Sequence, residues 1–259
     1  MSKIVVLGAG IAGHTAAAHL RRKLGKEHEV LVVSPNRNYQ WVPSNIWVGI
    51  GRMKSKEVIF PLEPLYKRKG IGYKQAKAVS FHPEGDGSEQ KPYILVEGVF
   101  GDNLGKQEKV TYDYLINATG PKLAFDMTEG LVPETNKVYS VCTYDHAEKA
   151  SEALHKLIDQ LKKSDTKAKI LIGTGHAKAT CQGAAFEYIL NVEKELQKFG
   201  VRDKAEITWI SNEYELGDFG MDGMLMDYNG FNMKSKDMVE MIFEDRGIKW
   251  ILGAGVTKV

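Results

Sequence analysis

The chain of 259 residues is poor in cysteine, with only Cys142 and Cys181. Two isolated cysteines cannot make a disulfide framework, and in a reducing compartment such residues are either buried or catalytic. No run of about 18 apolar residues exists, so no segment reads as a membrane-spanning helix. An excess of one charge is also missing. The formal net charge is +2, and the densest basic cluster, Lys67-Arg68-Lys69, reads as a solvated helix end, which gives a nucleic-acid partner no support. There is no low-complexity segment, and no metal is called for. Ile4–Ala18 is largely apolar and ends in Ala16-Ala17-Ala18, like a signal peptide. The spacing of Gly8, Gly10 and Gly13 explains the same residues better, so no signal peptide is expected. With 43% hydrophobic and 26% charged residues, the composition is that of a globular protein of one large or two modest domains.

The glycines begin the positive case. Lys3–Leu7 predicts a buried parallel strand, followed by the turn Gly8-Ala9-Gly10-Ile11-Ala12-Gly13, an alanine-rich helix reaching Lys23 and a second strand over Glu29–Val33. Strand, turn, helix and strand within about thirty residues are the context that a dinucleotide-binding turn requires. Gly8 permits the tight turn, Gly10 lets a pyrophosphate approach the backbone, and Gly13 lets the helix pack on the strand. The bland alternative is a glycine turn needed for packing alone. The second strand ends in Ser34-Pro35-Asn36 with no carboxylate for a ribose, so Ser34 or Asn36 is a neutral substitute and NAD and FAD stay open locally.

Further on, NYQWVPSNIWV (residues 38–48) is dense in aromatics around Pro43-Ser44-Asn45. Alone it favours a packed loop with a helix starting at Ser44 over a wall beside a flat ring. Residues 73–99 read as strands broken by an exposed hairpin tip over Pro83–Lys91. Lys109–Ala118 predicts one more strand, and Ala118-Thr119-Gly120 brings small residues and backbone N–H groups to a ligand.

A second strand–helix–strand unit follows. A helix over Asp145–Lys163, capped by Asp145, leads to a strand at Lys169–Ile172 and the loop GTGHAKATC. The next helix, Thr180–Phe199, carries a core stripe of Ala185, Tyr188, Ile189, Val192 and Leu196, and a strand follows at Glu206–Ile210. Lys178 stands where a third glycine belongs, and Trp209-Ile210-Ser211-Asn212 supplies no ribose-binding acid. Both features disfavour a tight NAD(P) site. Cys181 falls in the first helical turn on this reading, where the macrodipole favours a thiolate. Glu187 lies on the far side of that helix from Cys181, and His146 is either an acid–base group or a core histidine. The expected fold is α/β, with two Rossmann-like dinucleotide-binding domains at residues 1–140 and 141–259, the second incomplete.

GAGIAG, VPSNIWVGIG, YDYLINATGPKLAFD, SVCTYDHAE and ATCQGAAFEYILNVE occur in the order found in the sulfide:quinone oxidoreductases and the related flavocytochrome c sulfide dehydrogenase flavoproteins. The chain resembles that family over nearly its whole length, and the two cysteine segments are the specific part. The resemblance implies FAD at Gly8, Gly10 and Gly13, with Ser34, Pro43, Ser44, Asn45, Ala118, Thr119 and Gly120 close by. Cys181 matches the sulfide-handling cysteine, Cys142 a further cysteine, and Glu187 and His146 residues linked to proton handling. Two departures stand out. Asp218 replaces a histidine common in the family, and the family's chains run on to a Gly-Asp segment, a third cysteine and amphipathic elements that reach quinone.

The resemblance therefore implies a truncated chain whose intact form oxidises sulfide, passes electrons to quinone, and sits peripherally on the cytoplasmic membrane through the missing part. This fragment is expected to be soluble and to turn over little, and homo-oligomerisation is open. The rival readings are a type II NADH:quinone reductase, a cytochrome-coupled sulfide dehydrogenase and an inactive flavin-binding fragment.

Overall fold

The computed structural model describes residues 1–133, 135 and 137–259. In chain order its elements are β1 (Lys3–Leu7), α1 (Ile11–Lys23), β2 (Glu29–Ser34), β3 (Asn38–Gln40), α2 (Asn45–Gly49), α3 (Ser55–Val58), β4 (Ile59–Pro61) and α4 (Leu62–Lys69). They continue with β5 (Gly72–His82), β6 (Tyr93–Gly98), β7 (Gln107–Thr111), β8 (Tyr114–Asn117), α5 (Tyr144–Lys163), β9 (Ala168–Gly173) and α6 (Gln182–Lys198). The last are β10 (Ala205–Ile210), β11 (Leu225–Tyr228), β12 (Phe231–Lys234), α7 (Ser235–Asp245) and β13 (Ile248–Ile251). They form two compact units, Met1–Trp41 with Ile59–Leu123, and Val42–Val58 with Ala124–Val259. The fold is the mixed α/β flavoprotein type expected.

In the first unit a six-stranded sheet runs in the order β7-β6-β5-β2-β1-β8. β8, β1, β2 and the start of β5 are parallel, and β5, β6 and β7 continue antiparallel. The apolar runs of β1 and β2 follow from burial on both faces, as parallel strands require. Val6, Val30 and Val32 share one cluster with Ala17, Leu62 and Tyr66. Val5, Leu7, Leu31 and Val33 point the other way, toward Ile94, Val96 and Val110.

The single strand expected over Lys109–Ala118 is two. Tyr112 and Asp113 turn the chain from the β6 edge to the β1 edge, where the Asp113 N–H donates to Lys3 O (2.9 Å) and its carboxylate accepts the Lys3 N–H (2.7 Å).

In the second unit three parallel strands lie in the order β13-β10-β9. Their core joins Ile207, Trp209 and Ile248 to Ile189, Val192 and Leu196 of α6, Phe243 of α7, and Leu154, Ile158 and Leu161 of α5. The α6 core stripe is thus as expected. Each fully buried aliphatic side chain of this kind contributes about 2 kcal/mol.

Two helix starts differ from expectation. Thr143, not Asp145, is the N-cap residue of α5, and α6 begins at Gln182, which leaves Cys181 at the N-cap position rather than in the first turn. The unit boundary also differs from a single division at residue 140. Val42–Val58 joins the second unit because Tyr188 Oη donates to Gly49 O (3.2 Å) and Arg52 Nε meets the buried Glu195 carboxylate at 2.5 Å. Among the described residues no helix is long and apolar enough to cross a membrane.

Candidate functional site

The first unit gathers the glycine turn at the C-terminal ends of β1, β2 and β8. The Gly8 N–H donates to Val33 O (2.8 Å), and the Ala118 N–H donates to Leu7 O (2.8 Å). Gly8 has φ +94°, and a Cβ there would stand 2.2 Å from Ala118 O. A Cβ on Gly13 would fall 2.0 Å from Gly8 O, so α1 lies hard against the turn. Around Gly10 and Gly120 the same test meets nothing within 4 Å, which is open space beside the backbone. Gly10 is the N-cap of α1, with no side-chain cap and no acidic residue in the first turn. The N–H groups at that end are therefore free to meet an anion.

Ser34 is buried at 1% exposure and its Oγ accepts the Asn36 N–H (3.2 Å). Tyr73 Oη and Gln75 Nε2 donate to Asn36 O (2.5 Å) and Pro35 O (3.3 Å), which fixes the tip of β2. Thr119 folds back, with its N–H and Oγ1 on Asn117 Oδ1 (3.2 and 2.9 Å). His14, in the second turn of α1, packs among Tyr39, Phe60 and Tyr66. Burial, with a lesser effect of Lys69, pushes its pKa down. Pro43, Ser44 and Asn45 belong to the second unit, Pro43 exposed and Asn45 fully buried.

In the second unit β9 ends at Gly173, where a Cβ would stand 1.8 Å from Ile210 O. The loop that follows runs to Cys181 without entering a helix. Lys178 is exposed on it, and its N–H donates to His176 Nδ1 (3.1 Å). Leu131 and Gly255 pack on this loop: a Cβ on Gly175 would meet Leu131, and one on Gly255 would meet Ala177. Cys181 and Cys142 are both free, exposed thiols.

Cys142 precedes the α5 cap, its N–H on Ser140 Oγ (3.1 Å). His146 lies in the first turn of α5, edge-on to Phe125 (5.5 Å), and its Nδ1 is buried with no partner among the described residues. Glu187 is exposed on α6. Among the described residues no hydrogen bond or ion pair joins Cys181 to Cys142, His146 or Glu187. Asp218 is committed to its own loop, accepting the Met221 and Asp222 N–H groups (3.1 and 3.2 Å).

A polar cluster at the tip of β10 escaped the sequence reading. Glu213 is 4% exposed, with Ser211 Oγ donating to one carboxylate oxygen (2.7 Å) and the Phe219 N–H to the other (2.5 Å). Burial pushes its pKa up against those two hydrogen bonds, and nearby Asp218 adds to the rise. Asn212 beside it bonds to the Cys181 loop. Its only signal in the sequence is an amide where a nucleotide-binding strand would end in an acid.

The profile of the pyridine nucleotide-disulphide oxidoreductases matches residues 2–193. The chain belongs to that family. Within it, a sulfide-quinone reductase of Aquifex aeolicus is 29% identical over 256 residues, 99% of this chain and 52% of the relative. The solved sulfide:quinone oxidoreductase of the same hyperthermophile superposes with a TM-score of 0.83 at 28% identity, covering 100% of this chain and 52% of that one. A type II NADH:quinone oxidoreductase of Haemophilus influenzae is 28% identical over 177 residues, 67% of this chain and 38% of the relative. The resemblance to sulfide:quinone oxidoreductases drawn from the motifs is thus borne out. The chain spans about half the length of the curated relatives it matches.

Proposed function

We propose that this chain carries the FAD-binding turn and the sulfur-handling cysteine of a flavoprotein oxidoreductase that oxidises sulfide and passes electrons to quinone. The observation that carries the reading is the loop at Cys181. It keeps the strand-to-helix position of a nucleotide site, yet it delays its helix to Gln182 and sets an exposed thiol at the helix entrance. The similarity to a sulfide-quinone reductase along 99% of the chain supports the same assignment.

The first unit fits FAD. Gly10 and Gly120 leave room for a ligand against the backbone, and the uncapped start of α1 offers N–H groups to a pyrophosphate. When bound, FAD supplies an acceptor for an electron pair and a relay to quinone. Ser34, with a neutral hydroxyl, takes the place of a carboxylate at the ribose. Thr119 completes the set assigned to the cofactor in this unit.

Cys181 does the sulfur chemistry. In its oxidised, disulfide-bonded form its sulfur is attacked by HS⁻. The S–S bond breaks, the partner thiolate leaves with the electron pair, and Cys181 retains the added sulfur as a persulfide. The partner is the third cysteine of the family's longer chains. Cys142 assists sulfur transfer, and His146 and Glu187 move protons.

The test is an anaerobic visible spectrum of the FAD-loaded protein in a longer form that supplies the third cysteine, before and after sulfide and, separately, NADH. Bleaching of the flavin band by sulfide is the expected result, and its loss in Cys181→Ser ties it to this thiol. Bleaching by NADH alone would overturn the reading in favour of an NADH:quinone reductase. Failure to retain FAD would refute the cofactor assignment to these residues.

A further inference from the structure

We propose that Asn212 is the positioning residue for Cys181, a single amide that holds the chain on both sides of the cysteine. The inference rests on the reading that Cys181 is the reactive thiol. Asn212 lies two residues beyond the end of β10 and reaches into the loop between β9 and α6. Its Nδ2 donates to Ala177 O (2.7 Å) and Ala179 O (3.2 Å). Its Oδ1 accepts from Thr174 Oγ1 (3.3 Å) and Gln182 Nε2 (3.3 Å). All the hydrogen-bonding capacity of the amide is used, two donors and two acceptor directions. The partners bracket the cysteine, with Thr174, Ala177 and Ala179 before it and Gln182 after it.

Two partners in this network are buried, Thr174 and Gln182 at 5% exposure each. Gln182 adds a bond from its Nε2 to Ala179 O (3.4 Å), so the residue before Thr180 is tied twice. The anchor is itself fixed. The Ser211 N–H donates to Ile251 O (3.0 Å), and Ser211 O accepts the Ala254 N–H (3.0 Å). The Gly253 N–H donates to Glu213 O (2.7 Å), so the backbone on either side of Asn212 is stitched to the segment after β13. A side chain held by a rigid shell can place a reactive group to within the tolerance that chemistry needs, which a free surface loop cannot.

The consequence falls on the sulfur. Cys181 is the N-cap residue of α6, and nothing in its own local geometry holds it there, because it makes no side-chain cap hydrogen bond. The first-turn N–H groups of a helix favour negative charge at the cap. Removing Asn212 leaves the Ala177 carbonyl without its donor and Ala179 with Gln182 alone, which frees the run up to Cys181, so the thiol is no longer held at the helix entrance.

The experiment uses the whole chain, with exposed Cys142 as an internal standard. Partial alkylation with iodoacetamide, followed by peptide mass spectrometry, gives the ratio of the Cys181 rate to the Cys142 rate. Asn212→Ala is expected to lower this ratio by about two- to fivefold, the range set by a helix-terminus interaction. Asn212→Asp keeps the acceptor but turns a carboxylate on two carbonyls, so it is expected to lower the ratio at least as far. A milder variant, Thr174→Val, removes one bond with little change of shape and is expected to act in the same direction more weakly, which covers the case that Asn212→Ala does not fold. An unchanged ratio in these variants overturns the proposal, and so does a wild-type ratio in Asn212→Asp. Equal acceleration of both cysteines overturns it too, as general loosening. Sulfide reduction of the flavin is read separately. A longer form that supplies the third cysteine, inert to sulfide while the ratio still falls, would reject the sulfide reading and keep the role of Asn212.

Discussion

The glycine turn of the first unit allows packing and ligand binding to be separated by two substitutions. In Gly13→Ala the new methyl would lie 2.0 Å from Gly8 O, where ordinary contact begins at 3.4 Å, so α1 must withdraw by more than an ångström. Helix propensity favours alanine by about 1 kcal/mol, whereas overpacking costs about 1–3 kcal/mol. The obstructing atom is backbone, on a turn pinned by the Gly8 N–H to Val33 O bond, so it cannot rotate aside. The upper end of the cost applies, and the net loss is about 2 kcal/mol. At a urea dependence of about 2 kcal/mol per molar, the unfolding midpoint falls by about 1 M.

Gly10→Ala meets nothing within 4 Å, and its φ of −72° suits alanine. It costs about 0.5 kcal/mol as a poorer N-cap, yet its methyl projects where the pyrophosphate is assigned. FAD affinity, read by flavin fluorescence titration, is expected to fall at least about tenfold, or 1.4 kcal/mol. Unchanged FAD affinity in Gly10→Ala would refute the assignment of that space to the cofactor. An unchanged midpoint in Gly13→Ala would refute the close approach of helix to turn.

Glu213 has a pKa raised by burial, so the folded protein binds its proton more tightly than the unfolded chain does. Its contribution to stability is full below the unfolded carboxyl value and is lost as pH rises through the folded one. Glu213→Gln should therefore flatten the decline of the urea midpoint over that acid window, and an unaltered slope would count against the assignment. Glu193 is fully buried and accepts from Arg246 Nη1 (2.8 Å) and Gln197 Nε2 (2.6 Å), with Arg202 Nε at 3.3 Å. Glu193→Ala strands two guanidinium groups that are only partly exposed, and a loss of about 3 kcal/mol in urea denaturation is expected. A loss below about 1 kcal/mol would place this network among the ordinary surface pairs.

What could be read in advance was local. β1, α1 and β2 announce themselves because an apolar run, a glycine turn and an alanine-rich helix are encoded within a few residues of one another. The break at Tyr112-Asp113 could not be read. Lys109–Ala118 suits a strand throughout, and the turn is enforced by bonds from Asp113 to Lys3, at the other end of the sequence.

The start of α6 failed for the same reason. Thr180 is an acceptable helix cap, and the sequence around it offers nothing against a helix from there. The side chain that claims the Ala177 and Ala179 carbonyls comes from Asn212, thirty residues beyond Gln182. It keeps the backbone out of the helix until Gln182 and leaves the thiol at the cap. The cysteine could be singled out because it breaks a local pattern. Its holder could not, because an asparagine after a strand is an unremarkable residue until the fold brings it across the loop. A site built from a departure in one loop and a support from another strand shows only its first half in a single sequence, and the second half is the part that decides where the sulfur sits.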